Sequence, residues 1–331
     1  MEEKMCLRCI LTTKVPGVTL DRNGICNICH KFDNNKDIYD NYFKTENELE
    51  KLLEKCSDAQ LKYDVLLMYS GGKDSTYVLF RLMDMGIRVL ALTFDNGYIP
   101  QACFNNIKEV CENVGVDNIV VSVPKAKMDK VFVKNLREDG SVCSGCFRGL
   151  TARGVEVAVR ERIPIIITGL SRGQIYDTKL HTLISNGITD PGEIDDYLLQ
   201  FREVYHSVND EVSQLIDDRA LEDIEAFRKI QYVDFYRYSS ATKKDIVNLL
   251  EERAPFWKKP DNVGGCSSNC MINDVGIHVH LKKKGFHNYA IPTSWEIRFG
   301  HVSREEALRE ISPLSKVDVQ RVERIIQAIN L

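Results

Sequence analysis

The sequence predicts an α/β protein built on a doubly wound parallel sheet, and three observations carry that expectation. From residue 63 onward, short apolar runs alternate with amphipathic stretches of ten or more residues, the pattern of strands joined by crossover helices. The runs are apolar at consecutive positions, as in strands covered on both faces. A glycine-rich turn, Ser70-Gly71-Gly72-Lys73-Asp74-Ser75, joins the first run to the first amphipathic stretch.

Residues 1–35 are rich in Cys, Gly and Asn and poor in apolar periodicity, so they are expected to form a small metal-held module. Residues 36–62 link it to the core through a charged helix near 46–56 that carries Leu49, Leu52 and Leu53 on one face. Residues 63–175 read as the sheet domain. Its first strand is 65–68, and its first helix carries Thr76, Tyr77, Val78, Leu79, Leu82 and Met83 at three- and four-residue steps. Strand 88–94, helix 101–114, strand 118–123, helix 149–162 and the apolar run 164–168 follow. Ser70, Asp95 and Gly169 then lie beyond the carboxyl ends of strands, where such sheets bind ligands.

Residues 176–260 read as an acidic helical insertion or a homodimer contact. Tyr197, Leu198 and Phe201 form its apolar stripe, continued by Val204, Val208, Val212, Leu215 and Ile216. Residues 261–331 are expected to complete the site. There, alternating Val275, Ile277, Val279 and Leu281 predict a half-buried strand with His278 and His280 on its other face. Lys282, Lys283 and Lys284 either solubilise its edge or receive a phosphate-bearing substrate. Ser303 and Glu306 have the spacing of a capping box.

The chain has 331 residues, 44% of them hydrophobic, enough for one large or two ordinary domains. It contains no apolar run of membrane-spanning length, and its first residues lack the apolar core of a signal peptide, so a cytoplasmic protein is expected. The net charge of -4 hides an asymmetry. Residues 190–227 hold twelve Asp or Glu against Arg202 and Arg219, leaving +6 elsewhere. No domain-wide basic excess announces a nucleic-acid partner, and none is excluded.

In the glycine-rich turn, backbone N–H groups can close around an anion at a helix N-terminus, where unpaired donors and the helix dipole favour negative charge. The Walker spacing is absent. Ser70-Gly71-Gly72-Lys73-Asp74-Ser75 instead resembles the PP-loop of the N-type ATP pyrophosphatases. That resemblance implies an adenine nucleotide alpha-hydrolase-like fold and a reaction in which ATP adenylates a carbonyl oxygen and releases pyrophosphate. By this reading the Ser70 and Ser75 hydroxyls and the Gly71 and Gly72 N–H groups hold pyrophosphate. Lys73 neutralises developing charge, and Asp74 orients the loop or a Mg²⁺ ion. Asp95 either contacts the ribose or caps the following turn. Gly169 allows close approach to phosphate, and Arg148 and Arg172 are candidate phosphate contacts.

Eight of the eleven cysteines fall into pairs spaced C-x-x-C or C-x-x-x-C, which in a reducing compartment points to metal or sulfur chemistry. Cys6, Cys9, Cys26 and Cys29, with sixteen residues between the two pairs, have the spacing of a four-cysteine Zn²⁺ site, leaving His30 at the surface. Cys143 and Cys146 precede the helix at 149, and Cys266 and Cys270 lie far downstream. A second zinc is one reading of these four.

The position of Cys143 and Cys146 also resembles the iron-sulfur-dependent tRNA thiolation enzymes, a resemblance that covers residues 63–169 and Cys266. It implies a 4Fe-4S cluster on Cys143, Cys146 and Cys266, with one iron open for sulfide. Cys270 is then a substitute third ligand, a fourth ligand or a sulfur-carrying catalytic thiol. After Gly169 the thiolation pattern of His and paired carboxylates gives way to Leu170-Ser171-Arg172-Gly173-Gln174, with Asp177 the nearest acid.

Over about 120 residues, the segments at 5–10, 16–26 and 296–307 resemble the N-acetyl sugar amidotransferases. The expected function is an ATP-dependent sulfurtransferase using sulfide or a persulfide carrier. Its acceptor is a tRNA base, a small metabolite or a carrier-bound acyl amide. An amidotransferase delivering ammonia to a sugar acid, and a non-catalytic nucleotide- or tRNA-binding adaptor, are the alternatives.

Overall fold

The computed structural model describes residues 3–138, 140–207, 214, 228–260, 269–311 and 318–331. Its sheet has five parallel strands, β1 (Val65–Met68), β2 (Val89–Asp95), β3 (Asp117–Ser122), β4 (Ile165–Thr168) and β5 (Gln231–Asp234). They lie in the order β3-β2-β1-β4-β5, with Val65 paired to both Val89 and Ile165. β2 and β3 step outward on one side of β1, and β4 and β5 on the other. The crevice for a ligand therefore opens at the carboxyl end of β1.

Side chains along β1 alternate between two cores, as the pleat requires. Val65 and Leu67 pack with Ile165 and Ile167 against α4 (Lys73–Asp84), through Val78, Leu79 and Leu82, and against α5 (Gln101–Val114), through Ile107 and Val110. Leu66 and Met68 join Leu90, Leu92 and Ile166 against Ala152, Val155 and Ala158 of α7 (Cys143–Arg160). Gly154 of α7 faces Met68, and a Cβ there would run into the thioether. The expected doubly wound parallel sheet is thus present.

Before the sheet come α1 (Asn27–Asn34), α2 (Lys36–Tyr42) and α3 (Glu46–Cys56), whose Tyr39, Tyr42, Leu49 and Leu53 are buried in the main core. The segment expected to link module and sheet is therefore packed as part of the domain. α6 (Lys125–Glu138) precedes α7. After β4 run α8 (Arg172–Ile175), a π-helical turn (Tyr176–Leu180), α9 (His181–Ser185) and α10 (Pro191–Ser207). α11 (Phe235–Tyr238) and α12 (Lys243–Arg253) follow β5. The chain ends with α13 (Ile272–Lys284), α14 (Ala290–Arg298), α15 (Arg304–Ile311) and α16 (Val319–Ala328).

Three expectations are corrected. The segment from Val275 to Leu281 is helical, within α13, because the same sequence carries a second period: Ile272, Val275 and Val279 recur at helical steps and pack against α6 and α16. Gly285 closes α13 in the left-handed conformation at φ +80, and Lys282, Lys283 and Lys284 occupy its last turn, where cations suit the dipole. The α7 helix begins at Cys143, six residues before the expected start, so the C-x-x-C pair is its first turn. Residues 176–260 are not wholly an insertion, since they supply β5, the fifth strand of the sheet.

On α10, Tyr197 and Phe201 are exposed, while Leu198 packs against the core. Val208, Val212, Leu215, Ile216 and the Val204 side chain lie outside the described residues, as does Cys266. Ser303 and Glu306 form the expected capping box. Among the described residues no helix is long and apolar enough to cross a membrane.

Candidate functional site

The turn after β1 is an anion cradle by construction. α4 starts on Gly72, in extended backbone at φ -76 and ψ 163, with no side-chain cap. The N–H groups of the first turn, which a helix cannot satisfy internally, are therefore left to a ligand. Loop carbonyls are held by donors from elsewhere. Thr93 Oγ1 donates to Tyr69 O at 2.9 Å, Asn269 Nδ2 to Ser70 O at 3.3 Å and Trp257 Nε1 to Gly71 O at 2.9 Å. Thr76 Oγ1 donates to Gly72 O at 2.9 Å and the Tyr236 hydroxyl to Asp74 O at 3.2 Å. With acceptors tied back, the face left for a guest is one of donors.

Gly71 has φ +70, and a Cβ on it would sit 2.5 Å from Ile107 Cγ1, so this position needs glycine. The Ser70 and Ser75 hydroxyls are 3.1 Å apart, and Gly72 N–H donates to Ser70 Oγ at 3.4 Å. These expected pyrophosphate donors are engaged with one another by long bonds that an anion can replace. Lys73 Nζ lies 2.6 Å from Asp74 Oδ2, both side chains about one-third exposed. Burial works against the Lys73 charge, but Asp74, Glu310 and Glu296 outweigh it and hold the ammonium above its ordinary range. A cavity of about 270 Å³ opens beside Lys73, walled by Leu250, Ala254, Pro255 and Trp257.

Gly169, after β4, comes close to the start of α4: its Cβ position is 3.5 Å from Ser75 Cα, an ordinary contact. Asp95, at the end of β2, accepts from Gly97 N–H at 2.8 Å, so its carboxylate caps the following turn. Arg172 donates through Nε to Tyr236 O at 3.0 Å and lies over the Phe43 ring. Burial pulls it down to about 10. Arg148 is buried in α7.

Cys6, Cys9, Cys26 and Cys29 converge with all four sulfurs within 4.8 Å of one another and no exposure to solvent. The Cys9 and Cys26 sulfurs are 3.7 Å apart, the edge of a tetrahedron with metal–sulfur bonds of about 2.3 Å. N–H groups of Cys9, Leu11, Cys26 and Cys29 point at the sulfurs. The buried Arg298 guanidinium adds contacts of 3.4 Å to Cys9 and 3.8 Å to Cys26. Four thiolates around a divalent ion leave two net negative charges, which Arg298 and the amides offset. The residues fit a metal, and His30 pairs with Asp21 at 3.0 Å, outside the set.

Sequence reasoning missed Arg298 as a partner of this site. Arg304 belongs with it, donating to Cys9 O at 2.9 Å and Cys6 O at 3.2 Å. Two residues before Arg298 in α14, Glu296 accepts from the Gly173 N–H of α8 and from His301. Burial opposes the Glu296 charge, and His301, Ser171 and Gly173 hold its carboxyl below the usual range nonetheless. One helix thus bridges the four-cysteine module and the turn after β4.

Cys143 and Cys146 lie three residues apart in the first turn of α7 and share a face. Cys270 comes from the turn before α13, and all three pack in the cluster of α6, α13 and α16. Asn96 Nδ2 contacts Cys146 Sγ at 3.4 Å and Cys270 Sγ at 3.5 Å, so two cysteines far apart in sequence meet on one amide. Burial pushes the Cys143 thiol up to about 12, which a bound cation would reverse by favouring thiolate.

Among the described residues the four N-terminal cysteines are the set of three or more donors drawn within 4.8 Å. Cys143, Cys146 and Cys270 are not drawn that close together. The buried Asn135 Nδ2, without a partner among the described residues, lies against Gly145 of the same turn.

Residues 64–139 match the family model described as queuosine biosynthesis protein QueC. That segment carries β1, the glycine-rich turn, β2 and β3. Over 272 residues, 82% of this chain and 80% of the relative, the chain is 24% identical to an uncharacterised protein of Methanocaldococcus jannaschii. It is 38% identical over 63 residues to the 7-cyano-7-deazaguanine synthase of the same organism, a match covering 19% of this chain and 27% of the synthase. Among solved structures it is similar to the U34-tRNA thiolase NcsA from Methanococcus maripaludis with its 4Fe-4S cluster. There the TM-score is 0.40 at 15% identity, over 97% of this chain and 96% of that one.

Proposed function

We propose that the chain is an ATP-dependent sulfurtransferase that adenylates a carbonyl oxygen of its acceptor and replaces that oxygen by sulfur. The observation that carries this reading is the shared end of the sheet. A glycine-started helix with its loop carbonyls tied back follows β1, and two cysteines, Cys146 and Cys270, meet on Asn96 after the neighbouring strand.

In the first step the acceptor oxygen attacks the α-phosphorus of ATP, and pyrophosphate leaves with the electron pair of the broken P–O bond. The α4 N–H groups and Lys73 stabilise charge on that leaving group, while Asp74 orients Lys73 or a Mg²⁺ ion. In the second step sulfide adds to the activated carbon, and AMP departs with the original oxygen. Where a persulfide carrier is the donor, its outer sulfur adds, and a second thiol of the carrier then attacks the inner sulfur, breaking the S–S bond, freeing the thiolated product and leaving a carrier disulfide. Cys143 and Cys146 with Cys270 or Cys266 would hold a 4Fe-4S cluster, which when bound supplies an iron free to present sulfide. If Cys266 is the third ligand, Cys270 is the sulfur-carrying thiol. The N-terminal cysteines hold Zn²⁺ structurally. The acceptor is a tRNA base, a small metabolite or a carrier-bound acyl amide.

One observation favours a second reading. The N- and C-terminal segments that resemble the sugar amidotransferases fold against each other, with Arg298 and Arg304 gripping the four-cysteine module. Under that reading ammonia takes the place of sulfur. Pyrophosphate release, measured anaerobically against tRNA and small-molecule acceptor fractions, separates the two. The sulfurtransferase requires sulfide and loses turnover in Cys143→Ala while still binding ATP. Full turnover of Cys143→Ala with sulfide, or turnover of the wild type with ammonia alone, overturns it.

A further inference from the structure

The Asp95–Tyr98 turn sits between the sheet and the cysteine cluster, and its hydrogen bonds leave Asn96 one orientation. Asn96 is 5% exposed. Its Oδ1 accepts from Tyr98 N–H at 2.9 Å, so the amide cannot be flipped without facing two donors together, and Nδ2 must point the other way. What lies there is sulfur twice over: Cys146 at 3.4 Å and Cys270 at 3.5 Å. An amide nitrogen carries two hydrogens, one for each sulfur. The same turn fixes the second cysteine from the backbone side as well, since Tyr98 O accepts from Met271 N–H at 3.0 Å, one residue after Cys270. Tyr98 is itself anchored, its hydroxyl donating to Asp129 at 2.6 Å with Lys125 Nζ at 2.7 Å.

We propose that Asn96 is a positioning residue of the cysteine site, orienting Cys146 and Cys270 toward one another and donating one amide hydrogen to each ligand sulfur. This rests on the reading that these cysteines hold an iron-sulfur cluster. Hydrogen bonds to ligand sulfurs withdraw charge from the metal, favour the reduced cluster and slow its loss. A residue that served only the turn would need its oxygen alone. The nitrogen is surplus to the turn and is aimed at the ligands.

Two variants separate those roles. Asn96→Ala removes both functions, whereas Asn96→Asp keeps an oxygen for Tyr98 N–H and turns a second oxygen, which cannot donate, toward the sulfurs. Each protein is reconstituted anaerobically with iron and sulfide. Cluster content, chelator resistance and midpoint potential are read from absorption and electron paramagnetic resonance during reductive titration. Both variants are expected to bring the midpoint to a more negative potential and to lose iron to a chelator about 10-fold faster or more. Asn96→Asp should do so with the turn retained, since one oxygen still accepts from Tyr98 N–H. An unchanged midpoint and iron retention in a cluster-loaded Asn96→Asp overturns the proposal while the cluster reading stands. A wild-type protein that takes up no iron overturns both.

Discussion

Replacing Trp257 by Phe tests the cradle without touching any group expected to meet the nucleotide. The indole N–H donates to Gly71 O at 2.9 Å, and Phe keeps an aromatic ring against Ala254 and Pro255 while deleting that one donor. A buried carbonyl left unmet costs about 1–3 kcal/mol. Gly71 and Gly72 are buried, but Ser70 and Lys73 on either side of them are partly exposed, so the freed carbonyl has only a short way to turn toward water and the lower half of that range applies. The turn that satisfies it also rotates the peptide shared with Gly72 and carries that N–H out of the cradle. The cost therefore appears in anion affinity. At about 1.4 kcal/mol per tenfold, ATP binding measured by calorimetry should weaken about 5- to 25-fold in Trp257→Phe. The melting temperature should fall by no more than about 4 °C. ATP affinity within twofold of wild type, or a large fall in melting temperature with affinity intact, would refute the claim that tied-back carbonyls shape the cradle.

Lys73→Ala should leave the fold intact and reduce pyrophosphate release about a hundredfold, the effect of losing roughly 3 kcal/mol of charge stabilisation; near wild-type release removes the loop from the chemistry. Cys6→Ser and Cys26→Ser should lower zinc content and melting temperature together with iron unchanged, whereas loss of iron alone would exchange the two metal sites. Arg298→Leu should weaken zinc retention about 10-fold or more, as expected on losing a group that hydrogen-bonds the ligands, and retention equal to wild type would assign Arg298 to packing only. Asp64 gives a pH test. Burial opposes its charge, but the Arg88 guanidinium and N–H outweigh burial and hold the carboxyl below its ordinary range. Its contribution is present above the unfolded value of about 4 and is lost as pH falls through the lower folded value. Asp64→Asn should destabilise the protein at pH 7 and flatten that part of the acid unfolding curve; an unchanged acid limb would contradict the assignment.

The strands nearest the site were legible because burial on both faces makes them continuously apolar, as in Val65–Met68 and Ile165–Thr168. β5 was not: of Gln231, Tyr232, Val233 and Asp234, only the last two are buried, and an edge strand of that composition has no period to read. α13 was misread because Val275, Ile277, Val279 and Leu281 satisfy a two-residue period as well as a helical one. Gly285 after three lysines was the signal that decided between them.

The four N-terminal cysteines were legible because local spacing alone brings thiolates together. Asn96, Trp257, Asn269 and Arg298 act across separations from 50 to 289 residues. Such pairings are created by the topology of the sheet, and nothing beside these residues in the sequence announces them.

The most direct test of the central claim is a metal and sulfide count on anaerobically reconstituted wild-type protein and on a variant carrying Cys143→Ala and Cys146→Ala. The wild type should hold about one zinc with about four iron and four sulfide per chain. The double variant should keep the zinc and lose the iron and sulfide. Zinc in both places, or iron that survives loss of both cysteines, would contradict the sulfurtransferase reading.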